Sequence, residues 1–259
     1  MKTLIITGGS SGIGKATAML FSQHDYHVYE LSRHGESHDG IVHIDCDVTS
    51  AENCREAITN VIEKEAHIDL LISNAGMGIS GPIEFTAEED ARRILDVNFF
   101  GAMNISQAVL PIMRRQRSGR IIFVSSVAAI FSIPYQSFYS ASKSALNAYA
   151  LAMHNEVKDF GIDVCCLLPG DVKTGFTAAR EKNLTGADIY PNMRKSIETM
   201  EKDEQNGMKP EKIASQLWRI ANSRLAMVYN VSGWPYKLFC FLERLLPKTF
   251  VNWIVGKIY

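Results

Sequence analysis

Thr7-Gly8-Gly9-Ser10-Ser11-Gly12-Ile13-Gly14 follows an apolar run, Thr3-Leu4-Ile5-Ile6-Thr7, and precedes Lys15-Ala16-Thr17-Ala18-Met19-Leu20-Phe21, whose apolar residues recur at helical spacing. A strand, a glycine turn and a helix in that order open a βαβ unit. The glycines at 8, 12 and 14 let the backbone turn sharply, approach a pyrophosphate closely and pack the helix on the strand. The helix start then offers unpaired N–H groups and a partial positive charge to phosphates. The spacing departs from G-x-G-x-x-G, so the loop varies the general dinucleotide fingerprint. Gly8, Ser10, Ser11, Gly12, Ile13 and Gly14 are its candidate binding residues, with a plain glycine turn as the alternative.

Outward from this loop, β-rich apolar runs stand at Leu4 to Thr7, Val28 to Leu31, Ile41 to Ile44, Leu70 to Ser73, Ile121 to Ser125, Val164 to Leu168 and Ala226 to Val228. Helical patterns separate most of them, and the runs are apolar throughout, as strands covered on both faces should be. The pattern predicts an α/β fold, a three-layer doubly wound parallel sheet of Rossmann type with about seven strands. Residues 1–259 are expected to form one domain. Only Arg33 to Gly40 link the second and third strands, too few for a normal crossover helix, so that helix should be a turn or absent. Gly175 to Gly207, polar and charged after the sixth strand, is the least regular stretch and a candidate lid over a substrate.

Bulk properties exclude several classes. A chain of 259 residues, 46% hydrophobic, buries a full core, and its net charge of −1 with scattered basic residues argues against a nucleic-acid partner. Five cysteines without C-x-x-C spacing argue against a disulfide framework or thiolate metal site and lead us to expect a reduced, cytoplasmic protein. With a strand expected already at Thr3 to Thr7, no leader peptide is expected, and no run approaches the ~18 to 20 apolar residues of a membrane span.

The end of the second strand, Leu31-Ser32-Arg33, bears on the cofactor. An acid there would hold a ribose 2'-hydroxyl, whereas an arginine fork with a serine donor suits a 2'-phosphate. NADP(H) is therefore expected over NAD(H). Lys15 would add positive charge or simply lie on a solvated helix face.

Tyr139-Ser140-Ala141-Ser142-Lys143 sets a phenol and an ammonium four residues apart on one helix face. A nearby ammonium favours the phenolate and tunes a phenol whose free pKa is about 10. Such a pair is common on surface helices and gains meaning from position. Ser126 stands just beyond the strand Ile121 to Ser125, at the edge where ligands of open α/β sheets bind, and its hydroxyl can hold a substrate oxygen beside the phenol. Ser125 is its neighbour and easily confused with it.

Together these residues resemble the short-chain dehydrogenase/reductase family in its common single-domain form. The loop at Thr7 to Gly14 matches its cofactor motif, Asp47-Val48 its adenine-contacting aspartate, and Ser73-Asn74-Ala75-Gly76 its N-N-A-G element with serine for the first asparagine. Asn98, Ser126, Tyr139 and Lys143 fall on its catalytic positions, and Pro169-Gly170-Asp171-Val172-Lys173-Thr174 on its P-G segment, where Val172 and Thr174 would meet the nicotinamide carboxamide. The resemblance implies an oxidoreductase that reduces a ketone or aldehyde with Tyr139 as proton donor and Ser126 orienting the oxygen. Lys143 would also bind the nicotinamide ribose, and Asn98 would bend its helix and hold a relay water through its backbone. It further implies a homodimer or homotetramer.

Other features are set against plainer readings. His34 and His38, with His43 and Asp45 nearby, have partial metal-ligand spacing, but the glycine-containing loop reads as solvated, and no metal is expected. Cys165 and Cys166 read as small buried hydrophobes on opposite faces of a strand. Phe176, Tyr190 and Met193 are candidate pocket residues of the lid. The tail Trp234 to Tyr259 mixes aromatic, aliphatic and basic residues, so it lies on a membrane surface, covers the substrate pocket or meets another subunit. It suggests an apolar substrate, and a likeness to steroid and retinoid dehydrogenases points the same way, as would an acyl-like ketone. The reading from another class is a non-catalytic NADP(H)-binding sensor or scaffold.

Overall fold

In the first strand, β1 (Lys2–Thr7), Leu4 and Ile6 join one apolar cluster while Ile5 joins another. Successive side chains of a strand point to opposite faces, so a run apolar at every position must be covered twice. The computed structural model describes residues 1–224 and 227–259. After β1 come α1 (Gly12–Ser22), β2 (Tyr26–Ser32), β3 (Ile41–Asp45), α2 (Ala51–Ile62), β4 (Leu70–Ser73) and the short β5 (Ile79–Ser80). Then follow α3 (Glu88–Leu95), α4 (Gly101–Gln116), β6 (Gly119–Val124), α5 (Ser137–Val157) and β7 (Ile162–Leu168). The remainder comprises α6 (Phe176–Ala179), β8 (Glu181–Lys182), α7 (Met193–Gln205), α8 (Pro210–Ala221), β9 (Tyr229–Val231), α9 (Trp234–Glu243) and α10 (Lys248–Ile258).

Seven strands pair in the order β3-β2-β1-β4-β6-β7-β9, every pair parallel. This is the predicted doubly wound sheet. One face buries α2, α4 and α5 residues such as Ile58, Ile105 and Leu146 against Ile5, Leu71 and Phe123. The other buries Ala18 and Phe21 of α1 and Ile213 and Leu217 of α8 against Leu4, Ile72 and Val124. Cys166 belongs to the first cluster and Cys165 to the second, as strand alternation requires. Buried Arg120 of β6 donates to Asp163 Oδ2 at 2.6 Å, to the Ala221 carbonyl at 3.0 Å and to the Ile220 carbonyl. It thus places a cation at the negative end of α8 and ties that helix to the sheet.

The chain reverses direction across the sheet between β1 and β4, which opens a crevice at their carboxyl ends. As expected, no helix fills the link from β2 to β3. Asp39 and Gly40 take positive φ, 48° and 78°, and His38 and Ile41 exchange hydrogen bonds of 3.0 and 2.7 Å across the turn.

Two expectations need correction. The last strand is Tyr229–Val231 rather than Ala226 to Val228, of which Ala226 lies outside the described residues. Its register is set by pairing to Cys166, Leu167 and Leu168, which no local apolar run reveals. The stretch 175–207 is also more regular than its composition suggests, holding α6, β8 and the thirteen-residue α7, whose Met193, Ile197 and Met200 form a satellite cluster.

Candidate active site

The glycine loop is fixed by its neighbours. Gly8 and Gly12 adopt φ of 64° and 53°, a region glycine enters without steric cost. A Cβ at Gly14 would stand 2.1 Å from the Gly8 carbonyl oxygen, so only glycine lets α1 start so close to β1. Asn74 braces the turn, its Nδ2 donating to the carbonyls of Thr7 and Gly8 at 3.1 Å each. The Thr7 hydroxyl in turn accepts from the backbone N–H of Asn74 and Ala75 at 3.0 and 3.1 Å. Ser73, standing for the family's first asparagine, is buried in β4 and takes no part in this bracing.

Beyond the loop lies a cleft of about 420 Å³. Gly8, Ser11, Gly12, Ile13, Asn74, Ala75 and Gly76 line one wall, and Pro169, Gly170, Val172 and Thr174 another. Ser126, Tyr139 and Lys143 close its inner end. Ser126 and Ser125 are now separable. Ser125 is buried, with its hydroxyl directed to the Lys143 carbonyl at 3.4 Å, whereas Ser126 is half-buried in the cleft and accepts from Ala128 N–H at 3.1 Å.

Tyr139 and Lys143 sit one turn apart on α5. Burial pushes the Tyr139 phenol up to about 12, partly offset by its hydrogen bond to Ser126. Burial likewise drives the Lys143 ammonium down to about 8. Its Nζ donates to the Val124 carbonyl at 3.0 Å and lies 5.9 Å from the centre of the Tyr139 ring. Asn98 is buried in a π-helical turn, Asp96–Phe100, that joins α3 to α4 and bends the path between them. Its side chain clamps the Met77 backbone, accepting from the N–H at 2.8 Å and donating to the carbonyl at 3.0 Å, and also reaches Ser142 Oγ at 3.0 Å.

A second hollow, about 640 Å³, opens on the far side of the glycine loop and is lined by Gly9, Ser10, Lys15, Glu30 and Arg33. Arg33 and Lys15 are exposed there. Ser32 does not line it, because its hydroxyl already donates to the His34 carbonyl at 3.0 Å, so the expected serine donor is engaged locally. Asp47 and Val48 line neither hollow. The Asp47 carboxylate accepts from Thr49 N–H and hydroxyl at 2.9 and 2.8 Å, and Val48 packs against Gly101.

Sequence reasoning missed the floor of this hollow. Glu30, 3% exposed, pairs through Oε2 with His43 Nδ1 at 2.5 Å, and His43 Nε2 meets Asp45 at 3.0 Å. Glu30 and His43 are register partners on β2 and β3. Glu30 Oε1 is buried without a partner. Burial alone would lower the His43 imidazole, but the hydrogen bonds it donates to both carboxylates outweigh that and raise its pKa. An acid inside an apolar strand run was the available signal.

The substrate side was only partly anticipated. Phe176 lines the cleft, its ring 5.8 Å from that of Tyr139. Tyr190 and Met193 do not. Tyr190 is drawn off by a 2.7 Å hydrogen bond to Glu84, and Met193 is wholly buried beside Ile197. In their place stand Ile133, Ala179, Met200, Glu204 and the chain-terminal Tyr259. Glu204 is held by Thr177 at 2.7 Å and by the buried Arg180. Asp171 accepts a hydrogen bond from the Tyr236 hydroxyl of α9, and burial raises its carboxyl pKa.

The shape suits a dinucleotide. A Cβ at Gly9 would fall 2.3 Å from Glu30 Cγ, and one at Gly76 only 3.2 Å from Asn98 Oδ1, so both glycines let the backbone that borders the two hollows pack down on the side chains beneath it.

Known proteins resemble this chain in sequence and fold. Residues 2–185 match the model of the family described as short chain dehydrogenase. A 3-ketodihydrosphingosine reductase of Bacteroides thetaiotaomicron is 42% identical over 221 residues, covering 84% of this chain and 82% of that protein. Among solved structures, a short-chain dehydrogenase from Streptomyces avermitilis superposes with TM-score 0.81 at 26% identity over 94% and 93% of the two chains. The structure of ElxO with NADP bound gives 0.77 at 25% identity over 92% and 99%. With a seven-stranded parallel sheet, a braced glycine loop and a serine, tyrosine and lysine gathered at one crevice, this chain belongs to the short-chain dehydrogenase family of oxidoreductases.

Proposed function

We propose that the protein interconverts a ketone or aldehyde and an alcohol on an apolar, acyl-like substrate with NADP(H) as cofactor. The observation that carries this reading is the convergence of Ser126, Tyr139 and Lys143 at the inner end of the cleft. Gly8, Ser11, Gly12, Ile13 and Gly14 would hold the pyrophosphate, Asn74, Ala75 and Gly76 the adjoining ribose, and Val172 and Thr174 the carboxamide. Ser10, Lys15 and Arg33 would face a 2'-phosphate. When bound, NADP(H) supplies or accepts the hydride at C4 of its nicotinamide. In the reducing direction Ser126 orients the substrate oxygen and Tyr139 donates its phenolic proton to it. A phenol titrating near 12 is fully protonated at neutral pH and ready to donate. Lys143, charged below about pH 8, holds the ribose and stabilises the phenolate left behind. Asn98 positions the Met77 turn that borders the site.

Ile133, Phe176, Ala179 and Met200 give the substrate an apolar wall, and residues 175–207 act as its lid. The relative named for 3-ketodihydrosphingosine points to the same chemistry. The intact set of three catalytic groups favours turnover over a non-catalytic sensor. Family membership and the five free, buried cysteines favour a homo-oligomer in a reducing cytoplasm.

The test is NADPH and NADH consumption against a panel of long-chain 3-ketones, acyl ketones, steroids and retinoids. The expected result is turnover of at least one long-chain ketone, with NADPH preferred about tenfold or more, the worth of one charge-assisted contact. Tight NADPH binding without oxidation by any carbonyl would overturn the reading.

A further inference from the structure

The tail is built inside out. In α9, Trp234, Leu238 and Phe241 form one stripe at i, i+4 and i+7 and are 75%, 39% and 58% exposed. The opposite stripe, Tyr236, Cys240 and Glu243, faces the protein instead. In α10, Val251, Ile254 and Val255 turn inward, while Phe250 and Trp253 stack outside with ring centres 6.0 Å apart. Residues 234–259 expose nine large apolar side chains, as many as the rest of the described chain together. Contiguous exposure of this kind marks an interaction surface.

Charge indicates what covers it. The segment holds four cations, Lys237, Arg244, Lys248 and Lys257, against one acid, Glu243, three positive charges net. The whole chain carries −1, so the remainder carries −4. Glu243 is bound to Lys248, which leaves Lys237, Arg244 and Lys257 without an acidic partner among the described residues. Lys257 lies 6.0 Å over the Trp253 ring. Apolar aromatics rimmed by unpaired cations complement an anionic lipid surface, with rings at headgroup depth and cations against phosphates. No helix of the described residues is long and apolar enough to cross a membrane, so these helices would lie in its plane.

The inner sides of the same helices touch the cleft. The Tyr236 ring covers Gly170, where a Cβ would meet it at 2.2 Å, and Tyr259, just beyond α10, lines the cavity. We propose that α9 and α10 dock the protein on anionic membrane surfaces and set the mouth of the cleft at the lipid boundary. This docking is independent of which substrate is turned over.

The experiment is cosedimentation of the full chain with sucrose-loaded vesicles, phosphatidylcholine alone or mixed with phosphatidylglycerol, together with tryptophan emission. Wild type is expected to bind the anionic vesicles, to shift its emission to the blue and to release as salt is raised. The double variant Phe241→Ser/Trp253→Ser should weaken binding at least tenfold, and the triple variant Lys237→Gln/Arg244→Gln/Lys257→Gln about fivefold for each charge removed. Both variants should keep wild-type circular dichroism and turnover of a water-soluble ketone. Absence of wild-type binding, or binding unchanged by both variants, would overturn the proposal. So would a wild-type dimer that binds no vesicles and that the aromatic variant splits, since the patch would then join two copies of this chain.

Discussion

The two ends of the dinucleotide trough are held in different ways. At the nicotinamide end the polar groups are held by the protein itself, with Lys143 buried and bonded to the Val124 carbonyl and Asn98 clamped on the Met77 backbone. At the adenosine end Arg33 and Lys15 project freely, and the fixed element beneath them is an ionic chain, Glu30–His43–Asp45. Chemistry requires groups fixed to fractions of an ångström, whereas a phosphate can be met by flexible cations. Changes at the first end should therefore abolish turnover, and changes at the second should shift affinity or stability.

The largest effect expected is from Lys143→Met, which removes the charge beside the phenol and should lower kcat by about 10²- to 10⁴-fold with the fold intact, checked by steady-state rates and circular dichroism. Next is pH. With Lys143 titrating near 8, kcat/KM for carbonyl reduction should be flat below about pH 7 and fall roughly tenfold per unit above about pH 8, since kcat/KM reports the free enzyme. A profile flat to pH 10 would detach Lys143 from the reaction. Arg33→Ala should raise KM for NADPH about ten- to a hundredfold and leave NADH almost untouched, the worth of one charged hydrogen bond to phosphate. Equal losses for both nucleotides would erase the contrast between the two ends.

The smallest effect concerns His43. Its folded pKa is raised above the ordinary value of 6.5, so its stabilising contribution is full below that value and is lost as pH rises through the folded pKa. His43→Gln should thus lower Tm by a few degrees near pH 6, and the difference should shrink by pH 9. A gap that widened with pH would contradict the pairing with Glu30.

These contrasts also explain what could be read from residues alone. Gly8, Gly12 and Gly14 were legible because backbone conformation and close approach leave no other choice. Ser126, Tyr139 and Lys143 were legible because strand phase and helix spacing place them at one edge of the sheet. Glu30 was marked only as an acid inside an apolar run, and nothing in the sequence pointed it to His43, because their meeting depends on β2–β3 register. Tyr259 and Met200 reach the cleft through long-range packing that local patterns do not encode. The local engagement of Ser32 was not legible either, because it depends on its own loop bringing the His34 carbonyl within reach of the hydroxyl.

The most direct measurement is Tyr139→Phe, followed by paired determination of ketone turnover and NADPH binding. On the proposed role of the phenol as proton donor rather than cofactor anchor, turnover should drop by about 10²- to 10⁴-fold while the NADPH Kd stays within about twofold of wild type. Retention of more than about a tenth of the activity, or loss of turnover and NADPH binding together, would contradict that assignment.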